Sequence, residues 1–138
     1  MNHKLLAFFS ALALSLCIGC SNHVGLSGTV VFSDNGEPVP SGEVQLATPT
    51  FLARATIKQD GSFVVGSYKE GDGIPPGTYS IAVHSYDSNE NSLIDLKYAD
   101  AGTSGLSIAI DKTTRSFKIE VDRPSDASLP EGRNTTAQ

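Results

Sequence analysis

In short segments between Leu26 and Val121 the apolar residues of this chain recur at every second position, and no stretch sustains the three-to-four-residue spacing of a helix. A period of two sends alternate side chains to opposite faces of a strand, so burial requires packing sheet on sheet. Leu26, Gly28, Val30 and Phe32 share one face of a first strand, which ends at the turn Asp34-Asn35-Gly36. Pro38 and Pro40 keep the next stretch out of regular structure, and Val44 and Leu46 form a short second strand. Residues 51–57 place Phe51, Ala53, Ala55 and Ile57 on one face, and Gln59-Asp60-Gly61 predicts a hairpin into a return strand begun by Phe63 and Val65. Tyr79, Ile81 and Val83 face inward on a fifth strand that runs to His84, Leu106, Ile108 and Ile110 mark a sixth, and Phe117, Ile119 and Val121 mark a seventh after a polar turn at 111–114. Seven short strands divided by turn signals predict an all-β domain over residues 25–121, a seven-stranded antiparallel β-sandwich.

The N-terminus obeys a different pattern. One lysine, Lys4, precedes an apolar run from Leu5 to Ile18 broken only by Ser10 and Ser15. That run is short for a transmembrane helix, which needs roughly 20 apolar residues. A charged start, a short apolar run and small residues at its end read as a helical secretory signal peptide over residues 1–19. Its end, Leu16-Cys17-Ile18-Gly19-Cys20, resembles the lipobox of bacterial lipoproteins, with small Gly19 directly before the cysteine to be acylated. The resemblance implies cleavage between Gly19 and Cys20 and lipidation of Cys20, with residues 20–24 as a lipidated N-terminus and short linker. Cys17 departs from the pattern by standing where leucine is usual three positions before the acceptor, and bulky Leu16 makes Cys17 itself the poorer acceptor. Residues 21–138 contain no cysteine, so the lipid would consume the one thiol that survives cleavage. Two or three acyl chains, at about 0.8 kcal/mol per buried methylene, hold a protein stably to a membrane. The expected location is the cell envelope, facing away from the cytoplasm. Ser21, where an aspartate would retain the protein, points to the outer membrane in a cell that has one.

Without residues 1–19 the chain carries nine Lys plus Arg against fifteen Asp plus Glu, a formal charge of −6. That balance disfavours a nucleic-acid partner, which needs a clustered basic face. No run of basic residues offers a polybasic patch for anionic lipid, so the membrane partner is expected to be held through the lipid on Cys20 alone. Beyond Val121 the composition turns to Pro, Ser, Asp, Gly, Asn and Thr, and residues 122–138 are expected to form a disordered tail.

Four segments fall in a familiar order: Gly28-Thr29-Val30-Val31-Phe32, then residues 36–44, then Asp60-Gly61-Ser62-Phe63, then Ile74-Pro75-Pro76-Gly77-Thr78-Tyr79. Together they resemble the carboxypeptidase-regulatory-like domains, a prealbumin-like, seven-stranded sandwich also related to collagen-binding B-type repeats. Residues 92–98 followed by 103–106 are similar to the same domain standing alone in small bacterial lipoproteins. The resemblance covers about residues 25–121 and implies a binding or structural module of the envelope, with a protein or polysaccharide partner, and no enzyme activity.

The residues agree with that implication. A serine hydrolase needs a base beside its nucleophile. The mature chain has only His23, next to the anchor, and His84, on the outward face of its strand, and no Gly-x-Ser-x-Gly elbow. The hydroxyisourate hydrolases, enzymes of the prealbumin fold, end in Tyr-Arg-Gly-Ser, whereas this chain ends Asn134-Thr135-Thr136-Ala137-Gln138. Residues 87–91 alternate oxygen ligands as a calcium loop begins, but Ser92 replaces its glycine and Tyr98 its bidentate glutamate. A second acidic cluster, Glu70-Gly71-Asp72-Gly73, would matter for calcium only beside that loop. No metal or cofactor is expected. The Lys–Asn isopeptide bond of collagen-binding repeats is also excluded, since residues 24–32 hold no lysine.

The segment 85–105 is long for a connection in a small domain, and such loops are usually functional. Tyr86, Asp87, Asn89, Asn91 and Tyr98 form the candidate ligand loop, while Leu93, Ile94, Leu96 and Tyr98 are apolar enough to pack across the sandwich instead, with Tyr98 as anchor. A carbohydrate-binding module is the second reading: there is no tryptophan, and only Tyr68, Tyr86 and Phe51 could form a stacking platform.

Overall fold

The computed structural model describes residues 22–125. Seven strands appear among them: β1 (Leu26–Phe32), β2 (Gly42–Thr48), β3 (Phe51–Ile57), β4 (Ser62–Val65), β5 (Gly77–His84), β6 (Ser107–Ile110) and β7 (Ser116–Val121). They form one sheet in the order β4-β1-β7 and another in the order β3-β2-β5-β6, the two layers of a β-sandwich. The alternating residues fill the space between: Val30, Val44, Leu46, Phe63, Val65 and Val121 are fully buried. In the three-stranded sheet, Gly28 lies opposite Phe63 on one side and Phe117 on the other, and their rings meet edge to face at 5.3 Å.

Three expectations need correction. The sandwich is not wholly antiparallel, because β1 and β7 run parallel over Ser27–Phe32 and Ser116–Val121. Alternation reports which residues face inward and is blind to strand direction. The turn at 59–61 forms, with Gly61 at φ +79° and the Asp60 carboxylate accepting from Ser62 N at 3.0 Å, but it is a corner and not a ladder hairpin. β3 and β4 belong to different sheets and share one isolated bridge, Arg54 with Gly66, while β4 pairs with β1. Lastly, the domain is wider than residues 25–121. Val24 is buried and bridged to Ile74, ahead of the expected start at residue 25.

The start of the tail moves as well. Asp122 through Ser125 remain bonded to the domain, with the Arg123 guanidinium stacked 3.8 Å over the Phe32 ring and paired with Asp34 at 2.8 Å. Residues 126–138, like residues 1–21 with the expected signal peptide, Gly19 and Cys20, lie outside the described residues.

The strand directions sort the loops into two ends. The N-terminal residues 22–25, the 48–50 turn and the 111–115 turn lie at one end. Loop 33–41, the 59–61 corner, segment 85–105 and residues 122–125 lie at the other.

Candidate functional site

Segment 85–105 begins where β5 runs out beside β2. Ser85 is fully buried and donates to Ser41 O at 2.7 Å. Tyr86 and Ser92 then bridge, closing a tight loop over 87–91. The Asp87 carboxylate fills that loop from within. It accepts from Asn89 N at 2.8 Å, from Asn91 N at 2.9 Å and from the Asn91 amide at 3.0 and 3.3 Å, and the Asn91 side chain first among these holds its pKa below the ordinary carboxylate value. Asp87 is thus the internal cap of an Asx-type turn. The outward residues are Tyr86, 46 % exposed, with Asn89 and Asn91 on the loop itself.

The second half of the segment is held down. Ile94 and Tyr98 are buried, Leu93 is half-buried, and Leu96 remains 45 % exposed on a short 3-10 helix, Leu96–Ala99. Packing therefore takes two of the four apolar residues fully. Tyr98 is buried and engaged within the domain. Its hydroxyl donates to Asp122 Oδ2 at 2.9 Å and accepts from Asp122 N at 3.2 Å. The same carboxylate takes Lys97 Nζ at 2.6 Å and Ser33 Oγ at 2.6 Å, while Asp95 N donates to Asp122 O at 2.9 Å. At the far end of the segment, buried Ser104 donates to Ile81 O at 2.5 Å. The long segment is a strap sewn to β5 and to the end of β7, with Tyr86–Ser92 as its free tip.

Asp122 is the residue that sequence reasoning missed. It lies 24 positions from Tyr98 and 89 from Ser33, a separation at which no local pattern signals contact. Removing the Tyr98 hydroxyl alone, by Tyr98→Phe, is expected to cost about 1–2 kcal/mol, because the bond is to a charged group that stays partly hydrated. Urea unfolding checks the cost, and amide exchange should rise across 93–104 without change in β1.

Asp122 also sets an acid response. Its carboxyl is held below the ordinary value near 3.8 by Lys97 first, then Ser33 and Tyr98, and Thr113 and Thr114 bring Asp111 down to about 2. Carboxyls depressed in the folded state bind protons more readily when unfolded, so their stabilisation is complete above about pH 4 and is lost as pH falls through the folded values. The urea midpoint should therefore fall on acidification from about pH 4 toward pH 2, and Asp122→Asn should flatten that slope. An unchanged slope would remove Asp122 from the account.

A second exposed feature lies on the flank. In loop 67–72 the Asp72 carboxylate accepts from Ser67 N at 2.6 Å, Tyr68 N at 3.0 Å and Lys69 N at 3.3 Å, and Glu70 reaches Lys58 at 3.8 Å. The acidic cluster at 70–73 thus serves its own loop. That loop holds Tyr68 94 % exposed above an open groove of about 470 Å³ lined by Leu52, Arg54 and Val64 along β3 and β4. The three platform candidates do not gather. Phe51 packs edge to face on Tyr79 at 6.1 Å, Tyr68 flanks the outer edge of β3, and Tyr86 lies beyond β2 beside Ser41.

No family model matches the sequence, and neither does any curated protein. Among solved structures, the chain is similar to a DUF3823 family protein from Bacteroides ovatus, at 18 % identity over 73 % of this chain and 45 % of that one, with a TM-score of 0.46. It is similar to the major pilin subunit of Bacillus cereus at 14 % identity over 75 % and 30 %, TM-score 0.45. A 9R-lipoxygenase from Cyanothece matches at 14 % identity over 80 % and 18 %, TM-score 0.39. The chain thus spans less than half the length of each of these proteins.

Proposed function

We propose that this protein is a lipid-anchored, extracytoplasmic lipoprotein whose carboxypeptidase-regulatory-like sandwich is a non-catalytic binding or accessory module of the cell envelope. The observation that carries the reading is the distance between the lipid acceptor and the fold. Val24 already pairs with Ile74, so only residues 21–23 separate Cys20 from the domain. A lipid on Cys20 would seat the 22–25 end at the membrane and turn the strap, with Tyr86 and the 87–91 tip, away from it. An anchored receptor or scaffold protein needs that orientation, with its ordered, polar loop presented outward.

The test is the mature protein itself. Its N-terminal peptide, isolated from membranes, should begin at Cys20 and carry the mass of thioether-linked diacylglycerol, and the protein should resist extraction by high salt. An unmodified peptide in the soluble fraction would refute the reading. The carbohydrate alternative draws on Tyr68 over its groove. Retention of the protein by one polysaccharide, lost on Tyr68→Ala or Tyr86→Ala, would favour it.

A further inference from the structure

Most basic side chains among the described residues are spent on internal ion pairs. Arg54 meets Glu43, Lys58 meets Glu70, Lys97 meets Asp122, Lys118 meets Glu120, and Arg123 meets Asp34 and Glu37. Among the described residues Lys69, Lys112 and Arg115 make no such pair, and the last two share the turn between β6 and β7. Ser27 N donates to Arg115 O at 3.0 Å, which fastens that turn to the start of β1. Lys112 and Arg115 consequently line one cleft of about 240 Å³ with Asn22, His23, Val24 and Gly25. Arg115 is oriented by two bonds from Nη1, to Lys112 O at 2.7 Å and Thr114 O at 3.0 Å, leaving donors of the guanidinium fork to face outward. Asp111, the exposed acid of the same turn, accepts at Oδ1 from Thr113 and Thr114 at 2.6 to 3.1 Å.

We infer that this cleft is a docking surface for the phosphate of anionic lipid headgroups, setting the domain against the membrane in one orientation. The inference rests on the anchoring reading of Cys20. Four residue steps from Cys20 to Val24 span at most about 14 Å, so a lipid on that cysteine places the cleft within reach of the headgroups. Two cations of an acidic domain then face a surface of opposite charge, with one acid, Asp111, in the same turn bonded to its own threonines. The tether supplies the affinity and the cleft supplies the orientation, since each cation near an anionic surface changes occupancy only about five-fold.

The experiment uses the full chain, processed and lipidated in a bacterial host and reconstituted into vesicles. Processing removes Cys17 and the lipid consumes Cys20, so Ser116→Cys beside the turn and, separately, Asn89→Cys on the strap tip each give a single thiol for a fluorescent label. Vesicles of phosphatidylcholine are compared with vesicles that also hold phosphatidylglycerol, each containing a headgroup-linked quencher. The label at Ser116→Cys should be quenched more strongly with phosphatidylglycerol, and the label at Asn89→Cys in neither. Lys112→Gln with Arg115→Gln should lower the docked population roughly 25-fold, returning quenching to the level of phosphatidylcholine alone, and raised salt should do the same in the native sequence. Equal quenching in the two vesicles, or quenching indifferent to both salt and the double substitution, overturns the inference. Mass spectrometry of the reconstituted protein separates the two failures. Absence of lipid on Cys20 defeats the anchoring and the docking together, whereas lipid without phosphatidylglycerol-dependent quenching defeats the docking alone.

Discussion

Gly28→Ala is expected to lower the melting temperature of the chain by roughly 12–20 °C. Gly28 occupies an inward position of β1, where its neighbours in the alternation, Leu26, Val30 and Phe32, carry large side chains. It carries none because the space above it belongs to others. A methyl group there would strike the end of the Phe63 ring and stand 2.6 Å from the backbone oxygen of Phe117. The ring cannot simply swing away, since Phe63 is fully buried and meets Phe117 edge to face. The carbonyl belongs to the adjacent strand and moves only with the parallel ladder between β1 and β7. Forcing a methyl into a filled core costs about 3 kcal/mol when the neighbours cannot relax, a large part of the 5–15 kcal/mol typical of small domains. Thermal melting followed by circular dichroism measures the loss. Phe63→Leu in the Gly28→Ala background should recover part of it, as contacting sites couple. A single variant that melts within a few degrees of the native protein would mean the ring pair is not seated on Gly28.

Cys20→Ala is expected to release the protein from membranes or to leave the precursor uncut at its full mass. The sulfur is the atom to which the diacylglycerol would be joined, and residues 21–138 contain no other thiol to replace it. The formal charge of −6 left by removal of the leader gives the domain no general attraction to an anionic surface. Two headgroup contacts of the kind proposed for the 111–115 turn would orient a tethered domain without holding an untethered one. Fractionation and intact mass decide the outcome. Persistence of the variant in membranes at the mass of the mature lipoprotein would end the anchoring proposal, and the sandwich would be unaffected.

The Gly28 prediction could not be made from one level alone. The inward placement of Gly28 is legible in the alternation Leu26, Gly28, Val30, Phe32, yet its necessity comes from Phe63 and Phe117, on strands that arrive from 35 and 89 positions away. The strap shows the same division. Its apolar content announced that part of it would pack, and Ile94 and Tyr98 do so. Which residues would stay out was settled by the 3-10 helix, which turns Leu96 outward while it buries Tyr98. Asp87 looked like a metal ligand in isolation because turns and calcium loops draw on the same oxygen-bearing residues. Only the positions of Asn89 N and Asn91 N show that the carboxylate is already engaged by its own loop.

What the sequence determined by itself is therefore local. Alternation assigned the strands and their inward faces, because side-chain direction in a strand repeats every two residues whatever the strand pairs with. The proposed lipid acceptor was likewise read from a short linear segment, Leu16–Cys20. Pairing was left to the tertiary structure. It made β1 and β7 parallel, split β3 from β4 at the 59–61 corner and joined Asp122 to Tyr98 and Ser33. It also carried Lys112 and Arg115 to residues 22–25, giving a chain with no basic run a cleft lined by two cations. These contacts follow from which faces bury the most apolar surface together, a property of the whole packed sandwich that no short window of residues contains.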